Sequence, residues 1–175
     1  MSVKSYFLLF CLGLIPALGN AGEKTILGLS ETVYLPELNL SAAAKLDTGA
    51  QTSSLNATDI RRFRRSGESW VEFRLPEADN ILVQRPLARI SRIKRRSGDI
   101  DPSDKSYTTR PVIELDVCMA GRQRTIEINL TDRSSFEYPI LIGSEALIRF
   151  DAVVDPSLDN ASVKARCPAD SDVDE

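Results

Sequence analysis

The chain has 175 residues, a formal net charge of −3 and no histidine. This length indicates a single domain. The lack of histidine excludes Ser/His and Cys/His hydrolysis and zinc sites with histidine ligands, and no CxxC pair offers a cysteine site for zinc. A carboxylate mechanism is one of the few hydrolytic routes left.

The first predicted element is a secretory signal peptide over residues 1–21. Lys4 precedes an uncharged apolar run from Tyr6 to Leu18, and the small residues Gly19-Asn20-Ala21 follow it, which is typical of a cleaved signal. The run is short for a transmembrane span. We therefore expect a periplasmic or secreted protein that begins near Gly22 and has no stable membrane span, with an uncleaved N-terminal anchor as the open alternative.

Residues 22–167 are expected to form one all-β domain, a small barrel or sandwich of short strands. Alternating apolar and polar residues, or short apolar runs bounded by turns, predict these strands. They are Thr25–Leu29, Thr32–Leu35, Ala44–Leu46, Trp70–Leu75, Ile81–Val83, Leu87–Lys94, Pro111–Met119, Thr125–Leu130 and Pro139–Gly143.

Helical signals are few. A short helix is predicted at Ser144–Arg149 with Ser144 as its N-cap, and a further helical turn is expected over residues 59–65. Residues 168–175 form an acidic tail that we expect to be disordered.

Two cysteines, Cys118 and Cys167, remain once the signal segment is removed. In an exported protein an even pair predicts a disulfide. Two buried free thiols stay open as the alternative, because a sequence does not give the distance between the two residues.

Basic residues are concentrated between Ile60 and Arg96, where eleven Lys and Arg face four Asp and Glu. The segment is either a solvated outer face of strands or a surface for an anionic partner. We predict that the part from Arg89 to Arg96 favours acidic substrate segments. Export and the lack of interleaved aromatic residues count against nucleic acid as the partner.

The residues that carry chemistry are Asp47-Thr48-Gly49-Ala50, at the end of a predicted strand. Taken alone, this tetrapeptide also fits a simple turn in which Asp accepts backbone hydrogen bonds. About ninety residues later comes the apolar strand Ile140–Gly143, followed by the predicted helix.

Together these residues resemble the retropepsin-like aspartic peptidases, and the resemblance extends roughly from Ile26 to Asp155. Leu130–Arg133 and Tyr138–Gly143 look more narrowly like one bacterial branch, labelled ATP-dependent zinc proteases and associated with glutamate-ligase-type proteins. The sequence contradicts this label, because it has no histidine, no CxxC pair and no P-loop.

The resemblance implies a small retropepsin-like closed barrel with one short helix after the Ile-Leu-Ile-Gly strand. It implies that Asp47 is the catalytic residue and that no cofactor or metal is used. It also assigns support of the site to five residues: Thr48, Gly49, Ala50, Ile142 and Gly143. It implies a flap at the polar segment Gly98, Asp99, Ile100 and Asp101. Asp132 and Arg133 would either bind substrate or form an ion pair.

Hydrolysis by carboxylates needs two of them sharing one proton, but the chain has one Asp-Thr-Gly. A second copy must supply the other, which predicts a homodimer. The sequence therefore predicts an exported aspartic endopeptidase acting on a peptide or protein. A non-catalytic dimeric peptide-binding module on the same fold stays open, and a carboxylate-only metalloenzyme is disfavoured by the lack of a D-x-D-x-D-G cluster.

Overall fold

The structure is a computed structural model, and it describes residues 23–94, 107–162 and 167. The predicted signal peptide, the acidic tail and the predicted flap residues Gly98, Asp99, Ile100 and Asp101 lie outside these ranges. Within the described residues, no helix is both long and apolar enough to cross a membrane.

The described part of the chain consists almost entirely of short strands, with one α-helix, α1, at Ser144–Arg149 and two single 3-10 turns, at Pro36–Leu38 and Pro76–Ala78. This confirms the predicted all-β class. The strands are β1 (Thr25–Leu27), β2 (Ser30–Leu35), β3 (Leu40–Asp47), β4 (Ser53–Asn56), β5 (Thr58–Arg65), β6 (Glu68–Leu75), β7 (Ile81–Pro86), β8 (Arg89–Lys94), β9 (Tyr107–Met119), β10 (Arg122–Thr131), β11 (Ile140–Gly143) and β12 (Ala152–Val154).

The main sheet runs in the order β10-β4-β11-β3-β2-β9-β8, and an additional β10–β9 pairing returns to its start. The pairings therefore form a ring of strands, with β8 attached outside it. This ring of pairings is as much of the expected closed barrel as the structure shows. Within the ring, β11 lies parallel to β3 so that Gly143 is level with Asp47. This pairing brings together two segments almost a hundred residues apart.

Strands β5, β6 and β7 form a separate antiparallel sheet. Its inner side chains Val71, Phe73 and Leu75 are fully buried and belong to the same hydrophobic core as the ring. This sheet therefore packs on the ring as part of one unit. At the other end, β1 pairs in parallel with β12, which ties the start of the domain to its last strand.

The chain beyond β12 is held by a buried glutamate, Glu31, whose side chain is 1% exposed. Its carboxylate accepts hydrogen bonds from the backbone N–H groups of Gly28, Ala161 and Ser162 at 2.8–3.0 Å. Further along, Cys167 forms a disulfide with Cys118 of β9, with a Cα–Cα distance of 5.6 Å. The C-terminal part of the domain is thus attached at two places.

Two local predictions were wrong. Residues 59–65 are not helical but belong to β5, because they pair with β6 from Arg61 to Arg65. Ser144 is not the N-cap but the first residue of α1; Gly143 is the N-cap, and no side chain caps it. Strands β4 and β12 were not predicted.

Candidate active site

The Asp47 side chain lies at the end of β3, where the chain leaves the sheet. Its Oδ1 accepts hydrogen bonds from the backbone N–H groups of Gly49 at 2.9 Å and Ala50 at 3.2 Å. Two donors on one carboxylate oxygen fix the side-chain rotamer and leave the other oxygen available. Thr48 and Gly49 are exposed, whereas Asp47 and Ala50 are half-buried.

Strand β11 and helix α1 form the floor under this loop. The N–H of Ser144 donates to the carbonyl of Ala50 at 2.8 Å, and that of Glu145 donates to the carbonyl of Gln51 at 3.2 Å. The first N–H groups of a helix have no partner within the helix, so here the loop carbonyls satisfy them. Gln51 also donates from its side chain to the Glu145 carboxylate at 2.9 Å.

Gly143 lies directly against the loop, with Ile142 buried beside it. A Cβ at position 143 would lie 2.8 Å from the carbonyl oxygen of Gln51 and 2.8 Å from the carbonyl carbon of Thr52. Both contacts are with backbone, which cannot rotate away. Close approach to the loop therefore requires glycine here.

We predict that Gly143→Ala lowers the free energy of unfolding by about 1–3 kcal/mol, because the added methyl group overpacks a rigid contact. Urea unfolding of both proteins measures the difference. Ser144→Ala, the next position along the chain, is the control and should change stability by less than about 0.5 kcal/mol. Equal stability of Gly143→Ala and the parent protein would contradict the account of this contact.

Strand β4 supplies buried polar groups that the sequence did not identify as part of the site. All four of its residues are buried. Ser53 Oγ accepts from the N–H of Gly143 at 3.1 Å, and Asn56 Oδ1 accepts from the N–H of Arg133 at 2.7 Å. These bonds connect the segment after the Asp47 loop to β11 and to the chain after β10.

Arg133 is 6% exposed and connects several segments around the site. Its guanidinium donates to Ser54 Oγ at 2.8 Å and to the carbonyl of Tyr138 at 3.0 Å, and lies 4.8 Å from the centre of the Phe136 ring. It forms no ion pair with Asp132, which was one of the two roles expected for these residues. Asp132 instead accepts the N–H of Ser134 at 2.9 Å, and this bond holds the pKa of its carboxyl below the usual value.

A groove of about 450 Å³ runs past Asp47. It brings the Asp47 loop together with residues of β8, β9 and β10 and with the chain that follows β10. Its lining is Asp47, Ala50, Gln51, Thr52, Ser54, Ser91, Arg92, Ile93, Arg110, Asn129, Thr131, Arg133, Phe136 and Leu141. Of the predicted site residues, the groove unites Asp47, Ala50 and Arg133, whereas Asp132 lines a neighbouring groove.

Arg110 is a groove residue that the sequence analysis missed. It lies on β9 opposite Ser91 of β8, and its guanidinium donates to Asn129 Oδ1 at 3.2 Å. Burial lowers the pKa of its guanidinium. No spacing or motif marks this residue, because only the register of β8 and β9 places it in the groove.

Most of the basic residues between Ile60 and Arg96 that form contacts lie away from the groove. Arg89 is paired with Glu127 at 2.6 Å, and this hydrogen bond raises its pKa. Arg92 is exposed, lies 5.4 Å from the centre of the Tyr107 ring and lines the groove. In the part of the chain that the structure describes, no group of three Asp, Glu or Cys side chains is placed to hold a metal ion.

Comparison with known proteins identifies the family. Residues 26–165 match the family model described as RimB-like, retropepsin-like aspartic endopeptidase RimB. Two proteins named "Probable alpha-L-glutamate ligase", from Shewanella halifaxensis and Desulfotalea psychrophila, are 38% and 33% identical over 141 residues. These matches cover 77% of this chain and 29% of each relative, so the chain spans less than a third of their length.

A solved structure extends this result to the fold. Lpg0085 from Legionella pneumophila, a protein of unknown function (DUF785), is 31% identical with a TM-score of 0.65, and the match covers 80% of this chain and 99% of that one. The predicted resemblance, including the link to proteins named glutamate ligase, is confirmed. With its mostly-β structure and its match over residues 26–165, the chain belongs to the RimB-like family of retropepsin-like aspartic endopeptidases.

Proposed function

We propose that this protein is an aspartic endopeptidase in which Asp47 and the Asp47 of a second copy activate a water molecule between them. The observation that carries the proposal is the Asp47 carboxylate itself. It is fixed through one oxygen by two backbone N–H groups and lines a groove of about 450 Å³.

The two carboxylates would divide the acid and base roles. The ionised one removes a proton from water as the water oxygen attacks the scissile carbonyl carbon, and the protonated one donates its proton to the carbonyl oxygen. Collapse of the resulting tetrahedral diol breaks the C–N bond: the carboxyl that took the proton from water gives it to the leaving nitrogen, and the other carboxylate removes a proton from a diol hydroxyl, which restores the one shared proton. The pair titrates as a unit, so neither role belongs to one chain.

A homodimer is part of this proposal, because one chain supplies one such carboxylate. Thr48 and Gly49 are exposed in the single chain, which leaves the tip of the loop accessible to a second copy. The two-fold symmetry of such a dimer would place identical loops against each other.

The proposed setting is the cell envelope, which rests on the signal-peptide pattern of residues 1–21. Mass spectrometry of protein from its native host tests this proposal. A mature chain beginning near Gly22 is expected, and a cytoplasmic protein with an intact Met1 would contradict it.

The peptidase proposal is tested by incubating residues 22–175 with a diverse peptide library and mapping new termini by mass spectrometry. We expect internal cleavage with a bell-shaped pH profile centred below neutrality, because the pair must hold one proton. Added chelator should not change the rate. Binding without cleavage at every pH would favour a non-catalytic peptide-binding module instead.

A further inference from the structure

We propose that Arg110, with Arg133 beside it, forms a subsite that binds a carboxylate of the peptide in the Asp47 groove. This inference rests on the proposed function of the groove and adds the chemistry of the substrate. It assigns the preference for acidic peptides to two residues of the groove wall rather than to the segment Arg89–Arg96.

Among the described residues, Arg110 and Arg133 line the groove without an acidic partner, in contrast to Arg85 and Arg89. Arg85 pairs with Glu37 at 2.6 Å, and Arg89 pairs with Glu127 at 2.6 Å. Among the residues that the structure describes, no carboxylate lies within ion-pair distance of Arg110 or Arg133. Asp47 is the one acid among the described residues that line the groove, against three arginines.

The two guanidiniums are also unfavourable neighbours. Burial lowers the pKa of each of them, and repulsion from Arg110 adds to the effect at Arg133. Two partly desolvated like charges without a counter-ion cost free energy. A carboxylate bound between them would offset both the desolvation and the repulsion.

The hydrogen bonds show which of the two is available to a ligand. Arg133 is committed to Ser54 and to the Tyr138 carbonyl, so it supports the wall and contributes charge. Among the described residues, Arg110 has one side-chain partner, Asn129, which accepts from Nη1. Its Nε is buried and out of a ligand's reach, but Nη2 has no hydrogen bond to a described residue and so has donors left for a ligand. A planar guanidinium matches a carboxylate well.

Asn129 fixes the direction of Arg110. While its Oδ1 accepts from Arg110, its Nδ2 donates to the carbonyl of Ser53 at 2.6 Å. Ser53 in turn accepts from Gly143, under the Asp47 loop. The guanidinium is thus held in a fixed relation to Asp47, as a subsite for one defined substrate position requires.

Binding to the Asp47→Asn protein tests the subsite without cleavage. The probes are neutral fluorescent peptides in which a single Glu is moved through every position, each matched by the same peptide with Gln. Every pair is made with a free and with an amidated C-terminus, so that side-chain and terminal carboxylates are distinguished. At low salt we expect at least one position, or the free terminus, to bind about tenfold more tightly than its neutral match, as a hydrogen bond to a charged group implies.

In this background, Arg110→Gln is expected to abolish that preference and Arg110→Lys to reduce it. Arg61→Gln, which removes an exposed arginine paired with Glu72 outside the groove, is the charge-matched control and should keep it. If the parent binds all acidic and neutral peptides equally, or if Arg110→Gln keeps the preference, the subsite is overturned. Should Arg110→Gln not fold, the Arg110→Lys result decides, with an undiminished preference counting against the subsite.

The same peptides separate this inference from the proposed function. Equal cleavage of acidic and neutral peptides by the unmodified protein would support the proposed peptidase activity and contradict the subsite. A preference for carboxylate peptides that depends on Arg110, without cleavage of any peptide, would support the subsite and contradict the peptidase activity.

Discussion

Asp47→Asn is expected to lower peptide turnover by about 10²–10⁴-fold, the contribution of a positioned acid–base group, while the fold is kept. Asn has nearly the same shape, and its Oδ1 can still accept the hydrogen bonds from Gly49 and Ala50. It cannot remove a proton from water. Initial rates on a peptide found to be cleaved, together with circular dichroism and the urea midpoint, measure both parts of this prediction.

The control for Asp47→Asn is Asp79→Asn, which makes the same change of charge at an exposed residue that does not line the groove. Asp79 has a positive φ of 51°, a conformation that Asn also tolerates. The control should retain full activity. Full activity in the Asp47→Asn protein, with the fold intact, would remove Asp47 from the mechanism.

Loss of the Cys118–Cys167 disulfide is expected to lower the free energy of unfolding by about 4 kcal/mol. The two cysteines are 49 residues apart in sequence, and in the chain-entropy model a loop of this length strongly restricts the unfolded chain. The hydrogen bonds of Glu31 to Ala161 and Ser162 do not depend on the disulfide. We therefore expect a folded but less stable protein.

Urea unfolding of the oxidised protein and of Cys167→Ser measures this difference. A reductant is the matched control, because it should destabilise the parent protein by a similar amount and leave Cys167→Ser unchanged. If the parent protein is as stable with the reductant as without it, the disulfide does not contribute as proposed.

The sequence predicted those parts of the fold whose signal is local. Residues 140–143 are apolar and bounded by turns, and the next six residues have helical character, so β11 and α1 were predicted within a residue of their ends. The Asp-Thr-Gly sequence marked the loop that lies against them. In both cases neighbouring residues alone carry the pattern.

The elements that were missed depend on distant partners. Strand β4 contains Ser53, Ser54 and Asn56, which resemble a turn in sequence, yet all three are buried because Gly143 and Arg133 satisfy their polar groups. Strand β5 is rich in arginine and lacks clear alternation, and it is a strand because it pairs with β6. The neighbouring residues in the sequence do not predict such contacts.

The site residues also divide into those with a local sequence signal and those that depend on distant partners. Asp47 and Gly143 follow from motifs, whereas Arg110 enters the groove through the register of β9 against β8. Arg133 was identified, but its burial and its bonds to Ser54 and Tyr138 depend on three separate segments meeting. Side-chain direction and tertiary pairing decide these roles.

The central claim, that Asp47 of two chains acts as one pair, is tested most directly by mixing. Unmodified and Asp47→Asn chains are refolded together in equal amounts with the disulfide kept oxidised, and activity is compared with the same total of unmodified chain. Random pairing leaves roughly one quarter of dimers with two Asp47 residues, so we predict roughly one quarter of the activity. A value of roughly one half would mean that each chain works alone, and it would contradict the shared pair.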